Sequence, residues 1–213
     1  MPRLTLTFDN GPHPGSTEAI LGILAARGLK AIFFLIGERL RVPICRRTAE
    51  TAHAAGHWIG NHTMHHRRAL GHEPGRRGAA EIAEAQAMLG ALAHPDKLFR
   101  PIGDGKLGPH LLSRAAADYL VAERFSMVTW NNIPGDWHVD GNRWAERALD
   151  RLGELDWSVL VIHDDELIRM MHTLPAFLDE AARRGAEFVQ EIPPECMPLH
   201  RGAARPEFES YVT

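Results

Sequence analysis

Cysteine is nearly absent from this 213-residue chain: Cys45 and Cys196 are the two it has. Two thiols make no disulfide framework, and a reducing compartment suits them. Long apolar runs are missing too. The longest, Ala31 to Ile36, falls far short of the roughly 20 residues that span a bilayer, so no membrane span is expected. Nor is there an excess of either charge. The net charge is −3, with acids and bases interspersed, which argues against nucleic acid or an anionic membrane surface as a partner. The start, Met1-Pro2-Arg3, leads directly into a strand pattern with no secretory leader, and a cytoplasmic location is expected. There is no internal repeat and no low-complexity linker. With 45% hydrophobic residues, one domain over 1–213 is expected, with an irregular, proline-rich tail from about residue 192.

What is present is an alternation of strand and helix signals. Strands are predicted at Leu4–Phe8, Lys30–Ile36, Trp58–Asn61, Leu98–Arg100, Ser126–Trp130, Val159–His163 and Glu187–Val189. Between them, helices are predicted at Ser16–Arg27, Arg46–Ala55, Gly78–Ala93, Pro109–Ala117, Arg143–Gly153 and Leu174–Arg184, with Ser16 as a candidate N-cap of the first. This order argues for a mostly parallel sheet wrapped by helices, and by itself fits an open sheet and a closed barrel equally.

Chemistry-bearing residues gather where the strands should end: Asp9 and Asn10, His62 and His66, Arg100, Asp136, and His163 with Asp164. Parallel strands would put these loops on one face, where they can converge. His62 and His66, four apart, would share a face on a helical turn and could hold one ion; solvent-exposed histidines are the plainer alternative. Asn10 before Gly11 also reads as an ordinary turn residue. Arg100 could be a structural arginine. A histidine ending an apolar strand beside a carboxylate, as His163 does, is poised to titrate near neutrality.

Taken in order, these segments resemble the five motifs of the polysaccharide deacetylases (carbohydrate esterase family 4, the nodulation-deacetylase homology domain). Thr7-Phe8-Asp9-Asn10-Gly11-Pro12 is similar to the family's Thr-Phe-Asp-Asp-Gly-Pro, with Asn10 in place of the second aspartate. His62-Thr63-Met64-His65-His66 matches its His-Ser/Thr-x-x-His. Arg100-Pro101-Ile102-Gly103 and Asp136-Trp137 are partial matches to the third and fourth motifs, and Leu160-Val161-Ile162-His163-Asp164 resembles the fifth.

The resemblance implies a distorted, incomplete (β/α) barrel of about seven parallel strands. It further implies a hydrolase that removes an N-acyl, typically acetyl, group from an amino-sugar-like substrate using metal-activated water. Carried over position by position, Asp9 is the general base and Arg100 holds it. His62, His66 and Asn10 are the ligands of a divalent metal, expected to be zinc. His163 is the general acid and Asp136 orients it. Pro101, Gly103 and Trp137 lie on the substrate side, with Trp130 as a further wall. Partners are then a small molecule or an oligosaccharide. An amide carries no charge, and losing even an outer partner can weaken a metal site roughly 10–100-fold, so Asn10 leaves two alternatives open. One is a metal-independent, allantoinase-like hydrolase of cyclic amides; the other is a silent member that binds a glycan or a partner protein.

Overall fold

The first strand, β1 (Arg3–Gly11), shows why this chain folds as it does. Leu4, Leu6 and Phe8 alternate with Thr5, Thr7 and Asp9, and all six are buried, because the strand is covered on both faces. One set enters the main hydrophobic cluster under the helices; the other supplies the polar groups of the barrel interior. In the computed structural model, which describes residues 1–139, 142–167 and 172–213, β1 pairs with three strands of a curled sheet, next to its β6 end.

Strands β2 (Ile32–Leu35), β3 (Trp58–Asn61), β4 (Leu98–Phe99) and β5 (Ser126–Met127) follow outward from β1 in chain order, all parallel. On the other side, β6 (Trp157–His163) pairs with β1 over its whole length. Strand β7 (Glu187–Val189) takes the β1 edge beside Arg3–Thr5, below the point where β2 begins its pairing at Thr7. The parallel set among the described residues is therefore seven strands. Closure is by a single isolated bridge, Asn132 to Leu160, which links the chain after β5 to β6. One bridge in place of a full ladder is what leaves the barrel incomplete.

Helices α1 (Ser16–Ala25), α2 (Pro43–Ala54), α3 (Arg77–Leu89), α4 (Arg114–Ala122), α5 (Arg143–Glu154), α6 (Asp164–Leu167) and α7 (Thr173–Arg183) connect the strands. Among the described residues no helix is long and apolar enough to cross a membrane. Three expectations need correction. Ser16 is not the cap of α1: Gly15 holds that position, its N–H bonded to the Glu18 carboxylate at 2.5 Å, and the Ser16 hydroxyl instead donates to the Asp164 carbonyl. The helix expected at Pro109–Ala117 begins later, because Ser113 accepts from the Ala116 N–H and starts the helix there, leaving Pro109–Leu111 as a 3-10 turn.

The tail is also more ordered than its prolines suggested. It forms β8 (Leu199–His200), antiparallel to β5, and β9 (Ala203–Ala204), antiparallel to β8, then a 3-10 helix at Pro206–Tyr211. Leu199 and Phe208 are buried in a second hydrophobic cluster and pin these pieces down.

Gly60 on β3 faces Phe34 on β2, whose ring lies under the Arg100 guanidinium at 4.2 Å. A Cβ at Gly60 would come within 2.5 Å of that ring. Gly60→Ala is therefore expected to cost about 1–3 kcal/mol in chemical denaturation, as overpacking of a tight core does.

Candidate active site

The carboxyl ends of β1, β3, β4 and β6, with the loop after β5, open on one cleft of about 510 Å³. Asp9, Asn10, His62, His66, Pro101, Gly103, Trp130, Trp137 and His163 line it. Arg100 and Asp136 stand behind it, fully buried, each holding a lining residue. Of the expected site residues, all but Asp164 thus gather at one place.

Pairing register does much of this. In the β1–β6 ladder Asp9 is opposite His163, so a carboxylate and an imidazole emerge side by side at the same level. Asp9 Oδ1 accepts from Arg100 Nη1 at 2.9 Å, and the same nitrogen donates to Thr7 Oγ1 at 2.5 Å. Arg100 Nη2 reaches the Thr129 carbonyl at 3.2 Å. This arginine ties β1 to the chain beyond β5 and holds the Asp9 carboxylate with the same group.

His62 and His66 are brought together by a loop, not by the expected helical turn. Asn61 shapes it: its Oδ1 accepts from the Thr63 N–H at 2.9 Å while its Nδ2 donates to the Ile82 carbonyl at 2.9 Å. Thr63 and His66 have positive φ, 68° and 50°, and Thr63 Oγ1 accepts from the His66 N–H at 3.1 Å. The imidazole centroids end 4.6 Å apart. His65 points elsewhere, with Nδ1 2.7 Å from Glu81 Oε1.

His62 Nδ1 lies 2.8 Å from the Arg100 carbonyl, which can only accept. The proton therefore belongs on Nδ1, and Nε2, 3.7 Å from Asp9 Oδ2, keeps its lone pair. Burial is the main force on both rings; with the nearby Arg100 and His163 charges it brings His62 down to about 3. His66 is likewise brought to about 3 by burial and by His62. Both imidazoles are neutral near pH 7 and free to act as ligands.

His163 is the opposite case. Burial alone would lower its pKa, but the Asp136 hydrogen bond and charge, with Asp9 and Asp165 beyond, outweigh this and hold it above the ordinary value. Asp136 accepts from the His163 backbone N–H at 2.7 Å and lies 2.9 Å from Nδ1. Nε2 is left for a substrate. Trp137 meets the His163 ring edge-on, with centroids 4.7 Å apart.

A cation's donor set can be judged from these atoms. Among the described residues no group of three His, Cys, Asp or Glu side chains is arranged to hold a metal. Two neutral imidazoles line the cleft, however, and Asn10, which also lines it, has an Oδ1 that is buried with no hydrogen-bond partner among the described residues. A buried amide oxygen without a hydrogen-bond partner and two neutral imidazoles, on residues lining one cleft, fit a divalent ion with one neutral oxygen ligand.

The polysaccharide deacetylase family model matches residues 2–107. A chitooligosaccharide deacetylase of Azorhizobium caulinodans is 38% identical over 169 residues, covering 75% of this chain and 72% of that protein. The chain belongs to the polysaccharide deacetylase family. A chitooligosaccharide deacetylase of Rhizobium leguminosarum bv. phaseoli is 40% identical over 148 residues, 66% of this chain, and the match spans 58% of that relative's length. The crystal structure of the Bc1960 peptidoglycan N-acetylglucosamine deacetylase, in complex with 4-naphthalen-1-yl-N-oxidanyl-benzamide, aligns with a TM-score of 0.73. It is 26% identical, with 93% of this chain and 89% of that one covered.

Within the family frame, some lining residues carry no motif signal: Asp104 and His138 reach the cleft from the loops after β4 and β5, and Glu166 from α6. Asp164, grouped with the site on its sequence position, turns out of the cleft. It is fully buried against the start of α1, where Thr17 Oγ1 donates to its Oδ2. Desolvation, only partly offset by the Thr17 bond and reinforced by Asp165, lifts its pKa from 3.8 to about 7.

Across that window the unfolded carboxyl has lost its proton while the folded one keeps it, so Asp164 lowers native stability as pH rises. His62 and His66 act in the opposite sense below their ordinary value of 6.5, because the unfolded rings take up protons first. Comparing Asp164→Asn with the unaltered protein isolates the carboxyl. The substitution is expected to gain thermal stability relative to wild type as pH is raised from about 5 to about 8.

Proposed function

We propose that this protein is an N-deacetylase that hydrolyses the acetamido group of an N-acetylated amino-sugar oligomer. The observation that carries the reading is the pairing of Asp9 with His163 across β1 and β6, each backed by a partner of opposite charge. Two titratable groups whose surroundings set opposite tasks form an acid–base pair. Chitooligosaccharide and peptidoglycan deacetylases among its relatives support the substrate class.

Asp9, its rotamer held by Arg100, takes the proton of the attacking water. His163, protonated because Asp136 stabilises the imidazolium, donates from Nε2 to the departing amine. The Pro101–Gly103 segment lines the cleft, and the backbone N–H groups of Ile102 and Gly103 are the proposed donors to the oxyanion. Trp137, Trp130 and Ile133 form the apolar wall for a sugar ring. Deacetylases of this family depend on a divalent metal; held here by His62, His66 and the Asn10 amide, it would polarise the acyl oxygen and acidify bound water, with zinc the expected ion.

The neutral Asn10 favours one second reading, metal-independent opening of a cyclic amide. Acetate release from N-acetylglucosamine oligomers, run beside a cyclic-imide and allantoin panel with and without chelator, separates the two. Acetate release that chelator abolishes is expected. Chelator-insensitive turnover of a cyclic amide with no acetate release would replace the deacetylase reading.

His163→Ala is expected to lower turnover more than about 100-fold, or about 2.7 kcal/mol of barrier. Asp136→Asn removes the anion that raises the His163 pKa. The alkaline limb of its kcat/KM profile should therefore move to lower pH, since less of the acid is protonated at a given pH.

A further inference from the structure

Asn10 has two branches, and the structure gives them different neighbours. Its Nδ2 is 3.5 Å from Asp165 Oδ1, on the first turn of α6. Its Oδ1 is buried with no hydrogen-bond partner among the described residues, on a residue that lines the cleft. A carboxylate only accepts, so it selects the amide nitrogen and rejects the amide oxygen. The other carboxylate oxygen, Asp165 Oδ2, is 3.6 Å from Arg39 Nη2, which ties the acid from behind. Asp165 is thus held between a cation and an amide. Its charge also reaches the rings of the site, favouring the cationic form of both His66 and His163.

We infer that Asp165 is a positioning residue that returns to the site the negative charge Asn10 lacks. By fixing the amide it aims Oδ1 at the ion that His62 and His66 would share. Arg39, Asp165 and Asn10 form a short chain of cation, anion and amide, and the amide oxygen at its end is the polarised one. A carboxylate hydrogen-bonded to the NH2 group pushes electron density toward the carbonyl oxygen, which makes a neutral ligand a better donor. The inference rests on the metal-assisted reading above and adds to it a residue outside the five motifs.

The arrangement predicts a dependence of sign. With the amide at position 10, Asp165 helps. With a carboxylate there, Asp165 has no N–H to accept from and faces a like charge at close range, so it no longer helps.

The test is cobalt(II) titration of the full chain, read by visible ligand-field absorption and by calorimetry, neither of which needs turnover. The wild type should bind one Co²⁺, and His62→Ala should lose it. Asp165→Asn should weaken binding about 10–100-fold, as removal of an outer partner does, and should shift the cobalt spectrum. In the Asn10→Asp background the same Asp165→Asn change should leave affinity unchanged or tighten it. That double variant also keeps the test decisive if the single variant folds poorly, with thermal melts run on each.

The inference is overturned if Asp165→Asn leaves the wild-type affinity within about twofold, or if it costs the same in both backgrounds, which would mark general charge or folding effects. If the wild type binds no Co²⁺, or His62→Ala binds as tightly as wild type, the metal-assisted reading itself fails and this inference with it.

Discussion

The Arg100 guanidinium is the point through which fold and site are joined. It is fully buried in the barrel interior, with Nη1 on Thr7 and Asp9, Nη2 on the Thr129 carbonyl and the Phe34 ring stacked 4.2 Å away. Its own carbonyl holds His62. One residue thus connects β1, β2, β4, the chain beyond β5 and the loop after β3. Desolvation pulls its pKa down and Asp9 pulls it back up. A buried guanidinium without its carboxylate would be an unpaired charge in low dielectric, costing about 3–5 kcal/mol. Asp9 is therefore tied to stability by the same bond that prepares it for chemistry. The interior of a barrel this incomplete is filled by an ion pair where a closed barrel stacks aliphatic layers.

Two imidazoles of the site, His62 and His163, show how partners, with burial common to both, divide the work. His62 and His163 are both shielded from water, and burial favours the neutral ring in each. At His62 burial, helped by the nearby Arg100 charge, outweighs the bond to the backbone carbonyl, so the ring stays neutral and keeps a lone pair on Nε2. His163 meets a carboxylate that bonds both its ring and its backbone N–H, so its cationic form is favoured. The same side chain is thereby held neutral on one wall and drawn toward its cation on the other. The loop geometry makes the difference: β3 is followed by an Asn61-directed turn, whereas β6 ends level with Asp136.

Much of this was legible in the sequence, for a physical reason. Strands such as Leu4–Phe8 and Val159–His163 are covered on both faces and read as apolar runs, and the polar residues that end them mark the open face of a parallel sheet. The convergence of Asp9, His62, Arg100 and His163 follows from that alone. What was not legible depends on contacts distant in the chain. Ser16 has the composition of a cap but bonds to Asp164, 148 residues away. The 62–66 loop has helical spacing but is bent by two positive-φ residues that Asn61 and Thr63 support. The tail's prolines suggested irregular chain, whereas Leu199 and Phe208 found a cluster to bury themselves in. Asp165 belongs to no motif, and its place beside Asn10 is a matter of where α6 begins.

The corner where β1 and β6 end also explains why an amide is tolerable at position 10. Asn10 has φ 69°, a left-handed conformation that Asn and Asp adopt more readily than other side chains. Backbone geometry therefore admits either residue, and electrostatics must choose. Asp9, Asp164 and Asp165 already share this corner, with Arg100 and Arg39 as their cations. The strain shows at Asp164, whose pKa is lifted to about 7 by desolvation and by the charges of Asp165 and Asp9. A fourth carboxylate would raise that load further in the absence of an ion, whereas an amide adds a ligand oxygen and an N–H that a carboxylate can use. Asn10 is then best understood together with Asp165: the anion has moved one shell outward, and the inner oxygen remains.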